Sequence, residues 1–337
     1  MCGIYGIAKS PTPYTNKQLK VVKKVLREMA VDSESRGAHS SGIAKVGANT
    51  RIYKSLLPSS KFVDTKEYHD AVRSLKTDSY ILLGHTRFAT EGAIVKSNAH
   101  PFRVGDVVGA HNGCVYNISE MQTKLDKQCP VDSQLIFKSL NDSDNIQEAV
   151  QNFDADFALS FVKKNPMKLY LTREENRPLY VAYVPSLKTL FYASEDSFVE
   201  DALVKNGIND VDVYSLNKNT LYAFDTAKFD NIKTNVEKTQ FKYDSRVYHY
   251  TLNNYATSWA SSVEEDEEWE PIIPQQYIDD EKEHLAQVYG GSPEEWFWDD
   301  VGQEWMFHDR ETGQILTEDQ VVDIQFGDEM EAEHDAI

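Results

Sequence analysis

The chain opens with Met1-Cys2-Gly3-Ile4-Tyr5-Gly6-Ile7. The cysteine lies directly behind the initiator methionine, which is normally removed when the second residue is small. Removal of Met1 would leave a thiol and a free α-amino group on one residue, Cys2. Because an α-amine has a reference pKa of about 7.7–8.0, it can serve as the general base for its own side chain. Cys2 is therefore a candidate N-terminal nucleophile, and the alternative is a buried cysteine with a packing role only.

Charge divides the chain into two parts. The 337 residues carry a formal net charge of −19. Residues 263–337 hold 25 of the 54 acidic residues and 2 of the 35 basic residues, so this tail carries about −23 and the first 262 residues about +4. This division indicates a balanced globular body followed by a strongly acidic tail. The tail argues against a nucleic-acid partner, because the phosphate backbone is itself negative.

Cysteine content and hydropathy favour the cytoplasm. The three cysteines, Cys2, Cys114 and Cys129, are an odd number without metal-type spacing, which argues against a disulfide framework and for a reducing compartment. No apolar run approaches the ~18 residues of a membrane span. No basic-then-apolar signal sequence opens the chain. We therefore expect a cytoplasmic protein that has no membrane partner.

Hydrophobic patterning predicts two groups of strands with helical segments between them. Apolar residues at helical spacing predict a helix over residues 15–29, capped by Thr15 or Asn16. Four strands at short spacing follow between residues 155 and 193. This pattern favours an α+β fold in which two antiparallel sheets pack together and helices lie outside.

Two apolar strands end in polar residues that suit catalysis on an amide. The strand over residues 80–90 carries Arg87 near its end, where a guanidinium can bind a carboxylate in bidentate fashion. The strand over residues 107–113 is predicted to end in a turn at Asn112-Gly113, whose side-chain amide and backbone N–H suit an oxyanion hole. The alternatives are a buried ion-pair partner at Arg87 and an ordinary hairpin turn at Asn112-Gly113.

A carboxylate completes this set. Asp132 is predicted to cap a helix over residues 134–140, where it can also pair with a substrate ammonium group; the alternative is a cap alone. An amino acid with both its charges satisfied, by Arg87 and Asp132, and a side-chain amide that reaches Cys2 is glutamine.

Six short motifs occur in one order along the chain. They are Met-Cys-Gly-Ile-x-Gly-Ile, Arg-Gly-x-x-Ser-x-Gly, Gly-His-Thr-Arg-Phe-Ala-Thr, Asn-Ala-His-Pro-Phe, His-Asn-Gly-x-x-Tyr-Asn and Val-Asp-Ser, at residues 1–7, 36–42, 84–90, 98–102, 111–117 and 131–133. Over roughly residues 2–225 the chain resembles the class II glutamine amidotransferase domain. The resemblance implies the fold of an N-terminal-nucleophile (Ntn) hydrolase, a four-layer αββα sandwich of two antiparallel sheets.

The resemblance also implies the catalytic roles. Cys2 is expected to form a γ-glutamyl thioester and release ammonia, with Asn112 and Gly113 as the oxyanion hole. Arg87 is expected to hold the α-carboxylate of glutamine. Asp132 and the Gly113 carbonyl are expected to hold its α-ammonium group.

Other residues are implied to surround the substrate. Phe88 and Thr90 are expected to line the glutamine site, with His100 nearby. We interpret His85 and His111 as structural histidines. The family chemistry implies no metal and no cofactor.

The chain is expected to have three parts. Residues 2–240 form the amidotransferase domain, residues 241–291 an acidic connector, and residues 292–337 a small, acidic, Trp-rich segment. Three short strands are predicted in this last segment, over residues 295–298, 304–308 and 313–316. Aromatic residues in an acidic background suggest a docking element; the alternative is a tail that covers the body or stays flexible.

These observations predict an enzyme that hydrolyses glutamine to glutamate and ammonia. No phosphate loop or nucleotide-binding motif follows Asp225, so we expect ammonia to pass to a separately encoded acceptor enzyme, docked through the acidic tail. The first alternative is a plain glutaminase or a hydrolase of another amide. The second is a non-catalytic regulatory binding protein on an amidotransferase scaffold. The complete set of Cys2, Arg87, Asn112, Gly113 and Asp132 argues against the second alternative.

Overall fold

The computed structural model describes residues 2–76, 79–89, 93–125, 129, 131–164, 167–231, 235–243, 282, 292, 295–299, 304–308 and 315–317. The chain divides into two compact units, Met1–Ser261 and Ser262–Ile337. The predicted boundaries at residues 240 and 291 stay predictions.

The first unit is built from strands and helices in alternating groups. Its described strands are β1 (Gly3–Lys9), β2 (Ser40–Gly47), β3 (Arg51–Ser55), β4 (Ser79–Arg87), β5 (Phe102–Val104), β6 (Val107–Val115), β7 (Ala155–Lys163), β8 (Lys168–Arg173), β9 (Tyr180–Val184), β10 (Thr189–Ala193), β11 (Tyr214–Ser215), β12 (Thr220–Asp225) and β13 (Val236–Gln240). Its described helices are α1 (Asn16–Asp32), α2 (Ser59–Phe62), α3 (Lys66–Arg73), α4 (Ile118–Lys124), α5 (Asp132–Asp142), α6 (Ile146–Gln151) and α7 (Asp196–Lys205).

The strands form two antiparallel sheets. The larger has the order β11-β9-β10-β1-β4-β2-β3 and the smaller the order β13-β12-β8-β7-β6-β5. Strand β1 therefore lies inside the larger sheet, paired with β10 on one side and β4 on the other. The first residue of β1 follows Cys2 directly, so the candidate nucleophile lies at the end of a central strand.

Side-chain alternation along the strands builds the layers. In β1, Tyr5 and Ile7 pack against helices α1, α3 and α7, whereas Ile4 and Ala8 face the second sheet. Successive side chains of β7 likewise point alternately into the space between the two sheets and towards helices α4, α5 and α6. Because a strand points successive side chains to opposite faces, each sheet has one face on the other sheet and one on helices. This is the four-layer αββα arrangement, and the predicted fold class is confirmed.

Two local predictions differ from the structure. Asn112 and Gly113 do not form a turn: they lie inside β6, where Gly113 pairs with Phe157 of β7. The polar pair Asn112-Gly113 does not end the strand, because the β6–β7 ladder continues to Val115. Asp132 is not a helix cap: it is the first residue of α5, and Val131 precedes it as the N-cap.

Helix α1 begins as the sequence predicts. Thr15 is its N-cap, and its hydroxyl accepts a hydrogen bond from the backbone N–H of Gln18 at 3.2 Å. The Gln18 side chain accepts in return from the Thr15 backbone N–H at 2.9 Å. This reciprocal capping box satisfies two backbone groups at the helix start. Of the two predicted N-caps, Thr15 is therefore the correct one, and Asn16 is the first residue of the helix.

The second unit contains a small antiparallel sheet. Its described strands are β14 (Trp296–Asp299), β15 (Glu304–His308) and β16 (Ile315–Thr317), in the order β14-β15-β16. The prediction of a small β-rich segment is confirmed, with Asp299 inside the first strand, which was predicted to end at residue 298. Within the described residues, no helix has the length and apolar character needed to cross a membrane.

Candidate active site

The thiol of Cys2 lies against the end of strand β4. Its Sγ is 3.3 Å from both the backbone nitrogen and the backbone oxygen of Phe88. Phe88 follows Arg87, the last residue of β4, and Gly3 pairs with Thr86 of the same strand. The β1–β4 ladder therefore places the thiol beside the strand end that carries the predicted carboxylate-binding arginine.

Arg36 holds the backbone of Cys2 from the other side. Its Nε donates to the Cys2 carbonyl oxygen at 2.8 Å, and its Nη1 pairs with the Glu195 carboxylate. The Arg36 side chain is 9% exposed, so the ion pair is shielded on that side. One guanidinium thus ties the first residue of the fold to the segment that opens α7.

The glycine after Arg36 has a steric role. A Cβ atom on Gly37 would lie 2.5 Å from the carbonyl carbon of Arg87 and 2.5 Å from the nitrogen of Phe88. Only a residue without a side chain lets the two backbones approach this closely. In the Arg-Gly pair of the second motif, Arg36 therefore binds the Cys2 carbonyl, and Gly37 leaves room for the backbone at the end of β4.

Asn112 is attached to strand β1 through Ser194. Its Nδ2 donates to Ser194 Oγ at 2.9 Å, and the same oxygen accepts from the backbone N–H of Ile4 at 2.8 Å. The Ser194 backbone N–H donates to the Ile4 carbonyl at 2.9 Å. A carboxamide nitrogen carries two hydrogens, and Ser194 accounts for one of them.

Gly113 has a backbone conformation that suits glycine. Its φ is +139°, and a Cβ atom there would collide with the carbonyl oxygen of Asp156. The same Cβ would lie 2.9 Å from Nε2 of His111. A side chain at this position is therefore excluded both by torsion and by space.

Arg87 is buried and close to the other charged groups of the site. It is 3% exposed, and its Nη1 donates to the Ala93 carbonyl at 3.2 Å. Burial lowers the pKa of Arg87, while the Cys2 sulfur, when ionised, and Asp132 act in the opposite direction. The structure thus brings Cys2 and Asp132 each within electrostatic reach of Arg87.

Asp132 is fixed by backbone donors. Its Oδ2 accepts from the Val115 N–H at 2.9 Å and its Oδ1 from the Ser133 N–H at 2.6 Å. Asp132 is 8% exposed. The carboxylate therefore joins the start of α5 to the end of β6, and its position is set by two elements.

The environment of Cys2 favours the neutral thiol. Burial raises the pKa of Cys2, and the Phe88 N–H and Arg87 only partly offset this effect. At neutral pH the sulfur therefore retains its proton. Attack on a carbonyl then requires a base that takes this proton as the bond forms.

The remaining predicted residues lie in different places. Phe88 is 41% exposed and its ring stacks on His39 at a centroid distance of 4.9 Å. His100 is buried, with its ring 4.2 Å from that of His85 and 4.6 Å from that of Phe102. Thr90 lies outside the described residues. The structure brings Phe88 to Cys2, whereas the described ring contacts of His100 are with His85 and Phe102.

Sequence reasoning missed residues that shape the site. Arg36 contacts Cys2, Ser194 contacts Ile4 and Asn112, and Glu195 pairs with Arg36. His39 Nδ1 accepts from the Ala89 N–H at 3.0 Å. Arg36 and His39 belong to the second motif, and Ser194 and Glu195 follow β10. The available signal was a polar residue type close to a strand end. The sequence does not show the partners of these residues, which lie up to 190 residues away.

Known proteins resemble this chain over its first unit. The family model of the glutamine amidotransferase domain matches residues 85–201. Glutamine–fructose-6-phosphate aminotransferase of Bartonella henselae is 29% identical over 196 residues, which cover 54% of this chain and 30% of that protein. The corresponding protein of Idiomarina loihiensis is 30% identical, over 45% of this chain and 22% of that protein. This chain thus matches less than a third of the length of these two relatives.

Solved structures share the fold. Glutamine phosphoribosylpyrophosphate amidotransferase of B. subtilis aligns with a TM-score of 0.52 at 16% identity, over 72% of this chain and 50% of that chain. An allosteric regulatory enzyme of purine biosynthesis aligns with a TM-score of 0.53 at 16% identity, over the same shares. The family match over residues 85–201, the ordered motifs and the αββα fold together identify in this chain a class II glutamine amidotransferase domain with the Ntn-hydrolase fold.

Proposed function

We propose that this chain hydrolyses glutamine to glutamate and ammonia, with Cys2 as the N-terminal nucleophile. The observation that carries the proposal is the contact between the Cys2 thiol and the Phe88 backbone at 3.3 Å. Phe88 directly follows the buried Arg87, so a glutamine whose α-carboxylate is bound by that guanidinium could extend its side-chain amide to the thiol. The family match over residues 85–201 supports the same assignment.

The proposed chemistry begins with proton transfer from the thiol. Removal of Met1 exposes the Cys2 α-amine, which takes the thiol proton as sulfur attacks the carboxamide carbon of glutamine. The tetrahedral oxyanion accepts hydrogen bonds from the Asn112 amide and the Gly113 N–H. The ammonium formed on Cys2 returns the proton to the leaving nitrogen, the C–N bond breaks, and ammonia departs from the γ-glutamyl thioester. Water then attacks the thioester, which releases glutamate and restores the thiol.

Substrate selection follows from the charges of the site. Arg87 holds the α-carboxylate, and Asp132 with the Gly113 carbonyl holds the α-ammonium group. Phe88 is proposed to line the approach to the thiol. Because both ends of an α-amino acid are then paired, a free amino acid with a side-chain amide fits better than a peptide.

The remaining proposed contacts are with Thr90 and His100. Thr90 is proposed to line the site beside Phe88, and His100 to lie near the substrate. His100 is buried and burial lowers its pKa well below the ordinary value, so its ring is neutral at working pH. A neutral ring adds no charge that would compete with Arg87 for the carboxylate.

Ammonia is proposed to pass to a separate acceptor enzyme in the cytoplasm. The relatives are named for moving nitrogen from glutamine to fructose 6-phosphate or to phosphoribosylpyrophosphate, which supports transfer rather than simple release. The acidic tail, with about −23 charges over residues 263–337, is the proposed docking element. A reducing compartment suits the thiol of Cys2.

The nucleophile is tested by intact-protein mass after treatment with 6-diazo-5-oxo-L-norleucine, an electrophile shaped like glutamine. We expect the purified chain to lack Met1 and to gain one adduct. Cys2→Ala is expected to gain none, because the reacting sulfur is gone, whereas the control Cys129→Ala keeps the adduct. A chain that retains Met1 and takes no adduct would contradict the proposal and favour a regulatory scaffold.

Replacement of Arg87 tests the carboxylate site. Arg87→Lys is expected to raise KM for glutamine roughly tenfold to a hundredfold, because the bidentate hydrogen bonds to the carboxylate are lost and charge-assisted bonds contribute ~1.5–3 kcal/mol. Ammonia release at varied glutamine concentration measures the effect. The exposed Arg103 provides the matched control, and Arg103→Lys is expected to leave KM unchanged. Equal KM values for the two variants would remove Arg87 from substrate binding.

The Arg36 contact predicts a different kinetic signature. Arg36→Lys is expected to lower kcat about tenfold to a hundredfold with a smaller change in KM, because a lysine cannot reach both the Cys2 carbonyl and Glu195 and the nucleophile is displaced. Arg27 forms an exposed ion pair with Asp64 at 2.7 Å, and Arg27→Lys serves as the control with unchanged kinetics. A loss expressed only in KM would contradict this role.

Removal of negative charge from the acidic tail tests whether the tail docks the acceptor. A variant in which the acidic residues of 263–337 are replaced by Gln and Asn is expected to lose the acceptor in cross-linking experiments from source cells, while it keeps glutamine hydrolysis. High salt is expected to weaken the native complex in the same way, since the screening length falls to ~3 Å at 1 M ionic strength. Capture of the same acceptor by both forms would show that the acidic tail is not the docking element.

A further inference from the structure

The hydroxyl of Ser133 lies between the His111 ring and the Asp132 carboxylate. Its Oγ is 2.9 Å from Nδ1 of His111 and 3.1 Å from Oδ1 of Asp132. Ser133 is 3% exposed, so its hydrogen bonds are shielded from water. A hydroxyl has one hydrogen, and it therefore donates to His111 or to Asp132 but not fully to both.

The second nitrogen of His111 fixes its tautomer. Nε2 lies 3.2 Å from the backbone carbonyl oxygen of Asp156. A carbonyl oxygen only accepts, so Nε2 carries a hydrogen. If His111 is neutral, its Nδ1 must then be the acceptor in the contact with Ser133.

Burial keeps the His111 ring neutral. His111 is 2% exposed, and burial lowers its pKa. The charges that face the ring are Asp132 on α5 and Asp156 on β7, which favour the imidazolium, and Arg177 before β9, which opposes it. His85 on β4 and His100 are themselves held neutral by burial.

These contacts decide where the Ser133 hydrogen points. A neutral His111 with a hydrogen on Nε2 accepts from the Ser133 hydroxyl at the shorter of the two distances. Asp132 Oδ1 then keeps only the backbone bond from Ser133 at 2.6 Å. One lone pair of that oxygen stays available to another donor.

We propose that His111 and Ser133 are positioning residues for the substrate ammonium group. Nδ1 of His111 holds the Ser133 hydroxyl away from Asp132 Oδ1, so the carboxylate offers that oxygen to glutamine. If Nδ1 were absent, the buried hydroxyl would turn to Asp132 as the remaining acceptor and compete with the ammonium group. This inference rests on the proposed role of Asp132 in glutamine binding, and it gives His111 more than a structural role.

Substitutions at His111 separate the two nitrogens. Glutamine places an amide nitrogen near the Nε2 position, so His111→Gln keeps a donor to Asp156 and lacks the acceptor at Nδ1. Asparagine places its amide oxygen near Nδ1, so His111→Asn keeps the acceptor. We expect His111→Gln to raise KM for glutamine about tenfold, equivalent to one charge-assisted hydrogen bond, by more than it lowers kcat. His111→Asn is expected to show a smaller rise.

The double variant tests the hydroxyl itself. In His111→Gln combined with Ser133→Ala, the competing hydroxyl is removed, so KM is expected to return most of the way to the wild-type value. A merely structural role predicts that the second substitution adds damage. A double variant whose KM equals or exceeds that of His111→Gln would overturn the proposal, as would an unchanged KM in His111→Gln.

A measurement on the wild-type protein keeps the test independent of variant folding. Nitrogen-15 NMR of labelled histidine is expected to show His111 as the neutral tautomer with hydrogen on Nε2 and an unprotonated, hydrogen-bonded Nδ1. An imidazolium or an Nδ1–H tautomer would falsify the hydrogen-bond scheme. If the wild-type chain fails to hydrolyse glutamine, the proposed function fails, and the NMR result still decides the state of His111 and Ser133.

Discussion

The backbone of Cys2 is the point on which the site depends. Chain ends usually fray, yet a nucleophile at the chain terminus must be held to within a fraction of an ångström of its working position. Strand β1 meets this requirement because ladders with β4 and β10 bind it on both sides. The Arg36 guanidinium adds a hydrogen bond to the Cys2 carbonyl itself. The proposed nucleophile is thereby fixed through its carbonyl, which leaves its thiol and, after the proposed removal of Met1, its amine for chemistry.

Sequence patterns were sufficient for the layers but not for the contacts across them. The period of two in β1 and β7 and the helical spacing in α1 predict which faces are apolar, and the ordered motifs imply how the sheets stack. Strand limits near the site were harder, because Asn-Gly is a common turn pair and the sequence does not show that β6 continues past Gly113 along β7. Asp132 was likewise interpreted as a helix cap, since a carboxylate at a helix start has the same local pattern whether it caps the helix or accepts from Val115.

The supporting residues of the site escaped prediction for a different reason. Arg36 acts on Cys2, Ser194 acts on Ile4 and Asn112, and Glu195 pairs with Arg36; in each case the partner is distant in sequence. A single sequence records no pairing between such positions, and each residue type is ordinary at the end of a strand or helix. Only the antiparallel pairing of β1 with β10, which places Ala193 opposite Tyr5, brings Ser194 against Ile4.

One buried imidazole joins the two halves of the proposed site. His111 lies beneath Gly113, where its Nε2 limits the space for a side chain at the oxyanion position. Its Nδ1 faces Ser133, which neighbours the carboxylate proposed to hold the ammonium group. A charged ring would place a cation close to that ammonium group, and a smaller apolar side chain would leave the Ser133 hydroxyl to Asp132. A neutral histidine avoids both effects. In the proposed site, the substrate charge near Asp132 and the close backbone packing at Gly113 therefore both favour a neutral polar side chain at this buried position.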